Sequence, residues 1–82
     1  MTYFFYIVRC SDNSLYSGIT NNLQRRVEEH NSGTYKSAKY TRSRKPVRLV
    51  YHEQYESRQQ AMKREAEIKK WHKTKKEQLI KS

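Results

Sequence analysis

The sequence predicts a small α/β domain of the α+β type, in which helices flank a three-stranded antiparallel sheet in the order ββαβαα. Two segments carry strand patterns on either side of a short turn, and a third follows a cation-rich loop. Two longer segments carry helical periodicity with recognisable caps. A chain of 82 residues has room for one domain, so we expect residues 1–82 to form a single unit.

The first twenty residues predict a β-hairpin. Tyr3 to Cys10 is almost wholly apolar or aromatic, which is typical of a strand buried on both faces. The run from Ser11 to Ser14 consists of residues that favour turns. Leu15 to Thr20 then resumes a strand pattern, so the two strands should pair in antiparallel fashion.

A helix should follow the hairpin directly. Asn21 or Asn22 supplies an N-cap, and the helix is expected to begin at about Leu23. The sequence Asn-Ser-Gly at residues 31–33 is a good signal for its C-terminal end. Residues 34–46 then show neither helical nor strand periodicity, which predicts a loop.

The second half of the chain predicts one strand and two helices. Val47 to Tyr55 alternates as a third strand, with one face expected to carry Val47, Leu49, Tyr51 and Tyr55. Ser57 and Gln60 have the spacing of a capping box. The helix that they open should run to about residue 71 or 72, and a last short helix should span residues 75–80.

Charge is the strongest compositional signal. The formal net charge of +10, with a pI near 10.0, favours a polyanionic partner, namely nucleic acid. An anionic membrane is a weaker alternative because no apolar run approaches 18 residues, and plain solubility is the third. Cys10 is the sole cysteine and has no disulfide partner within the chain, which predicts a reducing, cytoplasmic setting and a small buried side chain.

The first predicted helix places two polar side chains on its inward stripe. Leu23, Arg26, Val27 and His30 follow the i, i+3, i+4, i+7 pattern of one helix face. A guanidinium that faces the sheet needs an anion, so Arg26 is a candidate phosphate ligand. The alternative is a solvated Arg26 at the edge of the stripe and a His30 favoured by the helix dipole. Arg25 points elsewhere and is predicted to be solvated or to contact a nucleic-acid backbone.

The second long helix repeats this arrangement with a carboxylate. Ala61, Glu65, Ile68 and His72 fall on one face, so Glu65 should point inward and require a cation or a divalent metal as partner. The alternative is a surface ion pair between Glu65 and Lys69, four residues apart.

The hairpin carries two tyrosines and a glycine in positions that matter for a site. Tyr6 is central in the first strand, Tyr16 begins the second, and Gly18 shares a face with Tyr16. A glycine within a strand often marks a close approach of a backbone or a ligand. For both tyrosines, packing in the core is the competing interpretation.

These residues together resemble the signature of the GIY-YIG nucleases in order and spacing, and the likeness covers nearly the whole chain. Residues 4–6, Phe-Phe-Tyr, stand where that family has Gly-Ile-Tyr, and residues 16–18, Tyr-Ser-Gly, stand for Tyr-Ile-Gly. Arg26 follows Tyr16 by ten residues, and His30 lies one helical turn beyond. The stretches KYTRSRKPVRLVY and AMKREAEIKKW are similar to a subgroup of short, stand-alone, uncharacterised bacterial members.

The resemblance implies hydrolysis of a phosphodiester with one divalent ion, Mg²⁺ or Mn²⁺, held by Glu65. Arg26 would stabilise charge on the phosphate, and Tyr6 would act as or assist the general base if a nearby cation lowered its pKa. Tyr16 and His30 would position the phosphate or relay a proton. Cations of the predicted loop would contact the nucleic-acid backbone, and these are Lys36, Lys39, Arg42, Arg44 and Lys45.

Two other classes of function remain open at this stage. A non-catalytic module could use the same basic surface to bind DNA or RNA, with Glu65 serving only the structure. A protein-interaction domain could carry its charge only for solubility. Among nucleic acids we expect DNA rather than RNA.

Overall fold

Three antiparallel strands form a sheet in the order β2-β1-β3, and helices lie on both of its faces. A computed structural model describes residues 2–82. The strands are β1 (Tyr3–Arg9), β2 (Leu15–Thr20) and β3 (Arg48–Tyr55). The helices are α1 (Leu23–Ser32), α2 (Lys39–Arg42), α3 (Arg58–Lys69) and α4 (Lys73–Lys81). The predicted α+β class and the predicted order of elements are confirmed, with α2 as an additional single turn of helix.

The central strand β1 is buried on both faces, as its apolar sequence predicts. Four consecutive residues, Phe5 to Val8, are buried at 1% exposure or less. Such a run is expected only where a strand has neighbours on both edges and helices above and below. Tyr6 is therefore fully inside the protein although it carries a hydroxyl.

The turn between β1 and β2 is built by local side-chain hydrogen bonds. The Asp12 carboxylate accepts a hydrogen bond from the Ser14 backbone N–H at 3.0 Å. Asn13 adopts a left-handed backbone with φ of 70°, a conformation that asparagine tolerates better than most residues. The predicted hairpin is thus present with its turn at the predicted residues.

The two faces of the sheet carry separate apolar clusters. The face that packs against α1 holds Tyr6, Val8, Cys10 and Val47, with Leu23 and Val27 from the helix. The opposite face holds Phe5 and Ile7 against Ile68 of α3, with Trp71, Leu79 and Ile80 beside them. The free thiol of Cys10 is buried, in agreement with its predicted role as a small apolar side chain.

The predicted single face of β3 is wrong because the strand contains a bulge. Tyr51 pairs with Ile7 and Leu49 pairs with Val8, so Val50 is an extra residue without its own partner. The insertion reverses the alternation of faces. Val47 and Leu49 pack towards α1, whereas Tyr51 and Tyr55 join the cluster on the opposite face.

Both long helices begin at the predicted caps. The Asn22 side chain accepts the Arg25 backbone N–H at 3.0 Å and begins α1, and Gly33, with φ of 70°, ends it. Ser57 and Gln60 form the reciprocal capping box of α3. That helix ends at Lys69, slightly before the predicted end, and α4 extends beyond the predicted residues at both ends. No helix within residues 2–82 is long and apolar enough to cross a membrane.

Candidate functional site

A chain of buried hydrogen bonds links β1 to α1 and α2. The Tyr6 hydroxyl lies 2.8 Å from His30 Nε2, and His30 Nδ1 lies 2.8 Å from the Thr41 hydroxyl. His30 and Thr41 are completely buried, and Tyr6 is 1% exposed. Three polar side chains at the centre of so small a domain are unusual, and every one is satisfied by the next.

Gly18 leaves the space that the Tyr6 hydroxyl occupies. The two residues are directly opposite each other in the β1–β2 ladder. A Cβ atom on residue 18 would lie 2.7 Å from Tyr6 Oη and 2.9 Å from Cζ, closer than non-bonded atoms tolerate. A close approach at this glycine is therefore present, but it is made by the ring of Tyr6 and not by the backbone or ligand that the sequence predicted.

Tyr16 forms an aromatic wall beside His30. Its ring meets the imidazole edge-on at 5.4 Å, and on its other side it stacks on Tyr40 at 5.8 Å. The Arg44 guanidinium lies over the Tyr40 ring at 3.9 Å. This wall connects the buried hydrogen bonds to the surface of the cation-rich loop.

Arg26 is partly buried and already held on one side. Its Nη1 donates to Glu29 at 3.0 Å and to the Lys36 carbonyl at 2.7 Å. The guanidinium also interacts with the Tyr6 hydroxyl. The side chain is 25% exposed, so it combines a fixed position with access from solvent.

The Glu65 carboxylate is half-buried on α3 and has no ion pair within residues 2–82. The alternative surface pair with Lys69 is absent from the ion pairs of that part of the chain. The neighbouring Arg64 instead pairs with Glu53 of β3 at 2.9 Å. Glu65 lies near enough to the Tyr6 hydroxyl for its negative charge to act on that group.

Two buried titratable groups of this region have displaced pKa values. Burial raises the pKa of Tyr6 to about 12, the hydrogen bond from Arg26 and its positive charge oppose that rise, and Tyr16 and Glu65 add to it. Burial, together with the charge of Arg26, lowers the pKa of His30 to about 4. At neutral pH the phenol is protonated and the imidazole is neutral. The cation expected to lower the Tyr6 pKa is present, but burial has the larger effect.

The five predicted site residues therefore share one region. Tyr6, Tyr16 and His30 are in direct contact. Arg26 and Glu65 are within electrostatic range of the Tyr6 hydroxyl. Sequence reasoning missed Thr41, because it lies in a single helical turn too short to show periodicity.

A carboxylate without a protein partner is a suitable ligand for a hard divalent cation. Glu65 fits that description. Residues 2–82 contain no cluster of three or more His, Cys, Asp or Glu side chains that could enclose a metal. Any ion at Glu65 would need water or substrate oxygens to complete its coordination shell.

The residues predicted to contact a nucleic-acid backbone differ in their solvent exposure. Five of them have exposed side chains, namely Arg25, Lys36, Lys39, Arg42 and Lys45. Arg44 is partly buried and bonded to Asp12 at 3.1 Å, in addition to its contact with Tyr40. Sequence reasoning did not include Lys73 and Lys76, which border a cleft of about 270 Å³ shared with Tyr40.

Comparisons with known proteins agree with this architecture. Residues 2–78 match the family model described as the GIY-YIG catalytic domain. A UPF0213 protein of Staphylococcus aureus is 52% identical over 80 residues, which cover 98% of this chain and 95% of that protein. A UPF0213 protein of Bacillus pumilus is 49% identical over 78 residues, covering 95% of this chain and 78% of that one.

Two solved structures are also similar. The solution structure of a UPF0213 protein from Bacillus halodurans is 44% identical with a TM-score of 0.62, and covers 99% of this chain and 84% of that one. A protein from E. faecalis has the same identity and coverage with a TM-score of 0.65. With a family match along nearly its whole length and close relatives of similar size, the chain belongs to the GIY-YIG catalytic domain family.

Proposed function

We propose that this protein is a nucleic-acid endonuclease that hydrolyses phosphodiester bonds with one divalent metal ion, Mg²⁺ or Mn²⁺. The observation that carries the proposal is that the Arg26 guanidinium interacts with the Tyr6 hydroxyl while the unpaired Glu65 carboxylate lies within electrostatic range of it. A cation that binds phosphate and an anion that binds metal are the two charges that such a reaction needs. Membership in the GIY-YIG family supports the same reaction class.

Arg26 is suited to hold the phosphate that reacts. Glu29 and the Lys36 carbonyl occupy its Nη1, which fixes the plane of the guanidinium. Its remaining donors can bind phosphate oxygens and stabilise the charge that develops on them. Since the side chain is already ordered, little conformational entropy is lost when the substrate binds.

Glu65 is the proposed ligand for the metal. The carboxylate has no cation partner within residues 2–82, so no salt bridge has to break before an ion binds. A divalent ion held by Glu65 would supply positive charge beside the phosphate. Arg26 and the ion would therefore act on the phosphate from different helices.

Tyr6 and His30 are proposed to move the proton of the attacking water. With a pKa of about 12, Tyr6 is too weak an acid to hold a phenolate at neutral pH. The water can give its proton to Tyr6 Oη while the Tyr6 proton passes to neutral His30 Nε2 at 2.8 Å. The hydroxide oxygen then bonds to phosphorus, the bond from phosphorus to the departing ester oxygen breaks, and that oxygen takes a proton from solvent water.

The exposed cations would hold the rest of the nucleic acid. Arg25 on α1 and the residues Lys36, Lys39, Arg42 and Lys45 between α1 and β3 are exposed and available for phosphate contacts. Lys73, Lys76 and Tyr40 border a neighbouring cleft that would extend this surface. We propose DNA as the substrate in preference to RNA.

The test is a cleavage panel of labelled duplex, flap, junction and single-stranded DNA, with matching RNA, in Mg²⁺ or Mn²⁺. We expect cleavage of at least one substrate, and its loss on chelation. Glu65→Gln and Arg26→Ala should each lower the rate by about 100-fold or more, while binding persists. Glu28→Gln, an exposed carboxylate change on α1, is the matched control and should cleave normally.

Two results would contradict the proposal. Binding without cleavage of any substrate would identify a non-catalytic module. Equal cleavage by the wild type and both site variants would assign the reaction to another site or to a contaminating nuclease.

A further inference from the structure

Thr41 completes the buried hydrogen-bond chain but lies too deep to touch a substrate. It is completely buried in α2, and its hydroxyl has two neighbours. One is His30 Nδ1 at 2.8 Å, and the other is the Ala38 carbonyl oxygen at 3.1 Å. These two contacts determine which atoms of the buried hydrogen-bond chain carry a proton.

The hydrogen bond between Thr41 and the Ala38 carbonyl determines the direction of the Thr41 hydroxyl proton. A carbonyl oxygen can only accept, so the contact at 3.1 Å uses the single proton of the Thr41 hydroxyl. Towards His30 the hydroxyl can then offer only a lone pair. His30 Nδ1 must therefore carry the ring proton and donate it to Thr41.

The Tyr6 end of the buried hydrogen-bond chain leads to the same assignment of the His30 proton. Arg26 also donates towards the Tyr6 hydroxyl, but a guanidinium cannot accept, so within residues 2–82 His30 Nε2 is the only acceptor for the Tyr6 proton. The Tyr6 proton is satisfied only if Nε2 is the unprotonated nitrogen of the ring. A neutral imidazole has one N–H, so a proton on Nδ1 and a lone pair on Nε2 agree with both contacts.

We propose that Thr41 is a positioning residue, which fixes the tautomer of His30 so that the Nε2 lone pair faces the Tyr6 hydroxyl. The inference rests on the proposed function insofar as that lone pair receives the Tyr6 proton during the reaction. The opposite tautomer would direct an N–H at Tyr6 and leave no acceptor for its proton. The same logic applies to catalytic histidines whose orienting partner holds the correct tautomer.

Contacts around the loop explain why Thr41 is held at this distance. The Ser37 hydroxyl donates to the Glu29 carbonyl at 2.7 Å, and the Lys36 carbonyl accepts from Arg26 at 2.7 Å. Both contacts fasten the loop to α1 within one turn of His30. The single turn of α2 follows directly and presents Thr41 to the imidazole.

The first test reads the tautomer directly. Long-range proton–nitrogen NMR spectra of the full ¹⁵N-labelled chain at neutral pH distinguish protonated from unprotonated ring nitrogens. We expect Nδ1 of His30 to carry the proton in the wild type and in Thr41→Ser. In Thr41→Val, which lacks the hydroxyl, the population should shift towards Nε2–H. The exposed His52 and His72 provide internal references whose signals should not change.

A proton on Nε2 of wild-type His30 would overturn the proposal without any variant. So would an unchanged tautomer in a folded Thr41→Val protein, with folding verified by the backbone amide spectrum. The wild-type spectrum alone still decides the assignment if Thr41→Val does not fold.

The second test measures cleavage of the best substrate from the panel. Thr41→Val should lower kcat by about 10- to 100-fold with little change in KM, by analogy with residues that orient the histidine ligands of metal sites. Thr41→Ser should restore most of the rate. Unchanged kcat in folded Thr41→Val would overturn the catalytic part. If no substrate is cleaved by the wild type, the proposed function fails, whereas the NMR result still tests the tautomer.

Discussion

Burial of Tyr6 disfavours the loss of its phenolic proton, which the proposed reaction requires. Complete burial raises the pKa of the phenol to about 12, so the side chain does not ionise spontaneously near neutral pH. The hydrogen bond to a neutral His30 offers a different route, because the phenol can lose its proton at the moment it gains one. A buried tyrosine is in this way both part of the core and part of the proposed site.

Gly18→Ala should damage both stability and activity. The added methyl would lie 2.7 Å from Tyr6 Oη, and the buried ring has no room to withdraw. We expect a loss of about 1–3 kcal/mol in the free energy of unfolding, as for other overpacked cores, measured by urea denaturation. Cleavage should also fall because the Tyr6 hydroxyl is displaced from His30.

Ser17→Ala is the control for Gly18→Ala because it changes the adjacent residue of β2, which is paired with Ile7 instead of Tyr6. An alanine at position 18 with unaltered stability would contradict the close approach of these two residues.

His30 should make the stability of the protein depend on pH. Its pKa of about 4 in the fold lies below the ordinary value of 6.5, so the folded state prefers the neutral ring. The contribution of the neutral ring to the free energy of unfolding is fully present above pH 6.5. It is lost as the pH falls from 6.5 towards 4, because the unfolded chain binds the proton more tightly than the folded protein does. The resulting decrease in the free energy of unfolding is about 3 kcal/mol at most.

Urea denaturation at several pH values measures this dependence. His30→Gln, which has no titrating ring, should show a flatter profile between pH 6.5 and 4. Identical slopes for the wild type and the variant would show that His30 is not held neutral by the fold.

At the scale of elements, caps and turns could be predicted from the sequence because each depends on a few neighbouring residues. Asn22, the capping box at Ser57 and the end of α1 at Gly33 all appear where the pattern indicated. The bulge at Val50 could not be predicted, because an extra residue in a strand is fixed by its pairing with β1. The single turn of α2 was missed because four residues are too few to show a helical period.

The same distinction applies to the candidate site. Arg26, His30 and Glu65 stand out because helical spacing places polar groups on an otherwise apolar stripe. Thr41 is held by contacts between a loop and α1, which depend on the folded chain. Local patterns thus identified the side chains on long helices and left out Thr41, which contacts His30.

The junction of α1 and β3 also depends on a long-range contact, made by one side chain. Asn31 accepts the Val47 backbone N–H at 2.6 Å and donates to the Val47 carbonyl at 2.9 Å. Asn31→Ala removes both bonds and leaves polar groups of a buried residue unpaired. We expect a loss of about 1–3 kcal/mol, measured by urea denaturation.

Asn21→Ala is the matched control for Asn31→Ala, because within residues 2–82 the Asn21 side chain bonds only to the exposed Arg25 side chain. Its effect should stay within about 0.5 kcal/mol. Equal effects of the two substitutions would show that the contact with Val47 does not fasten α1 to β3.

For the whole molecule, the cations behind the net charge of +10 divide into those that form ion pairs within the fold and those that remain exposed. Several arginines serve the fold: Arg9 pairs with Glu77 at 2.6 Å, Arg64 with Glu53 at 2.9 Å, and Arg44 with Asp12 at 3.1 Å. The exposed lysines have fewer acidic partners. The charge available to a polyanion is therefore concentrated in lysines, especially those of the loop between α1 and β3.

Salt dependence should distinguish these roles. If the five exposed cations Arg25, Lys36, Lys39, Arg42 and Lys45 each neutralise one phosphate, log K for duplex DNA should fall against log[salt] with a slope of about −4 to −5. Replacing Lys36 and Lys39 together by Gln should reduce the steepness by about 2, as measured by fluorescence anisotropy. Lys63→Gln, on the exposed side of α3 beside Tyr55, should leave the slope unchanged. A flat slope for the wild type would instead favour a protein-interaction domain, because contacts with uncharged partners release no condensed counterions.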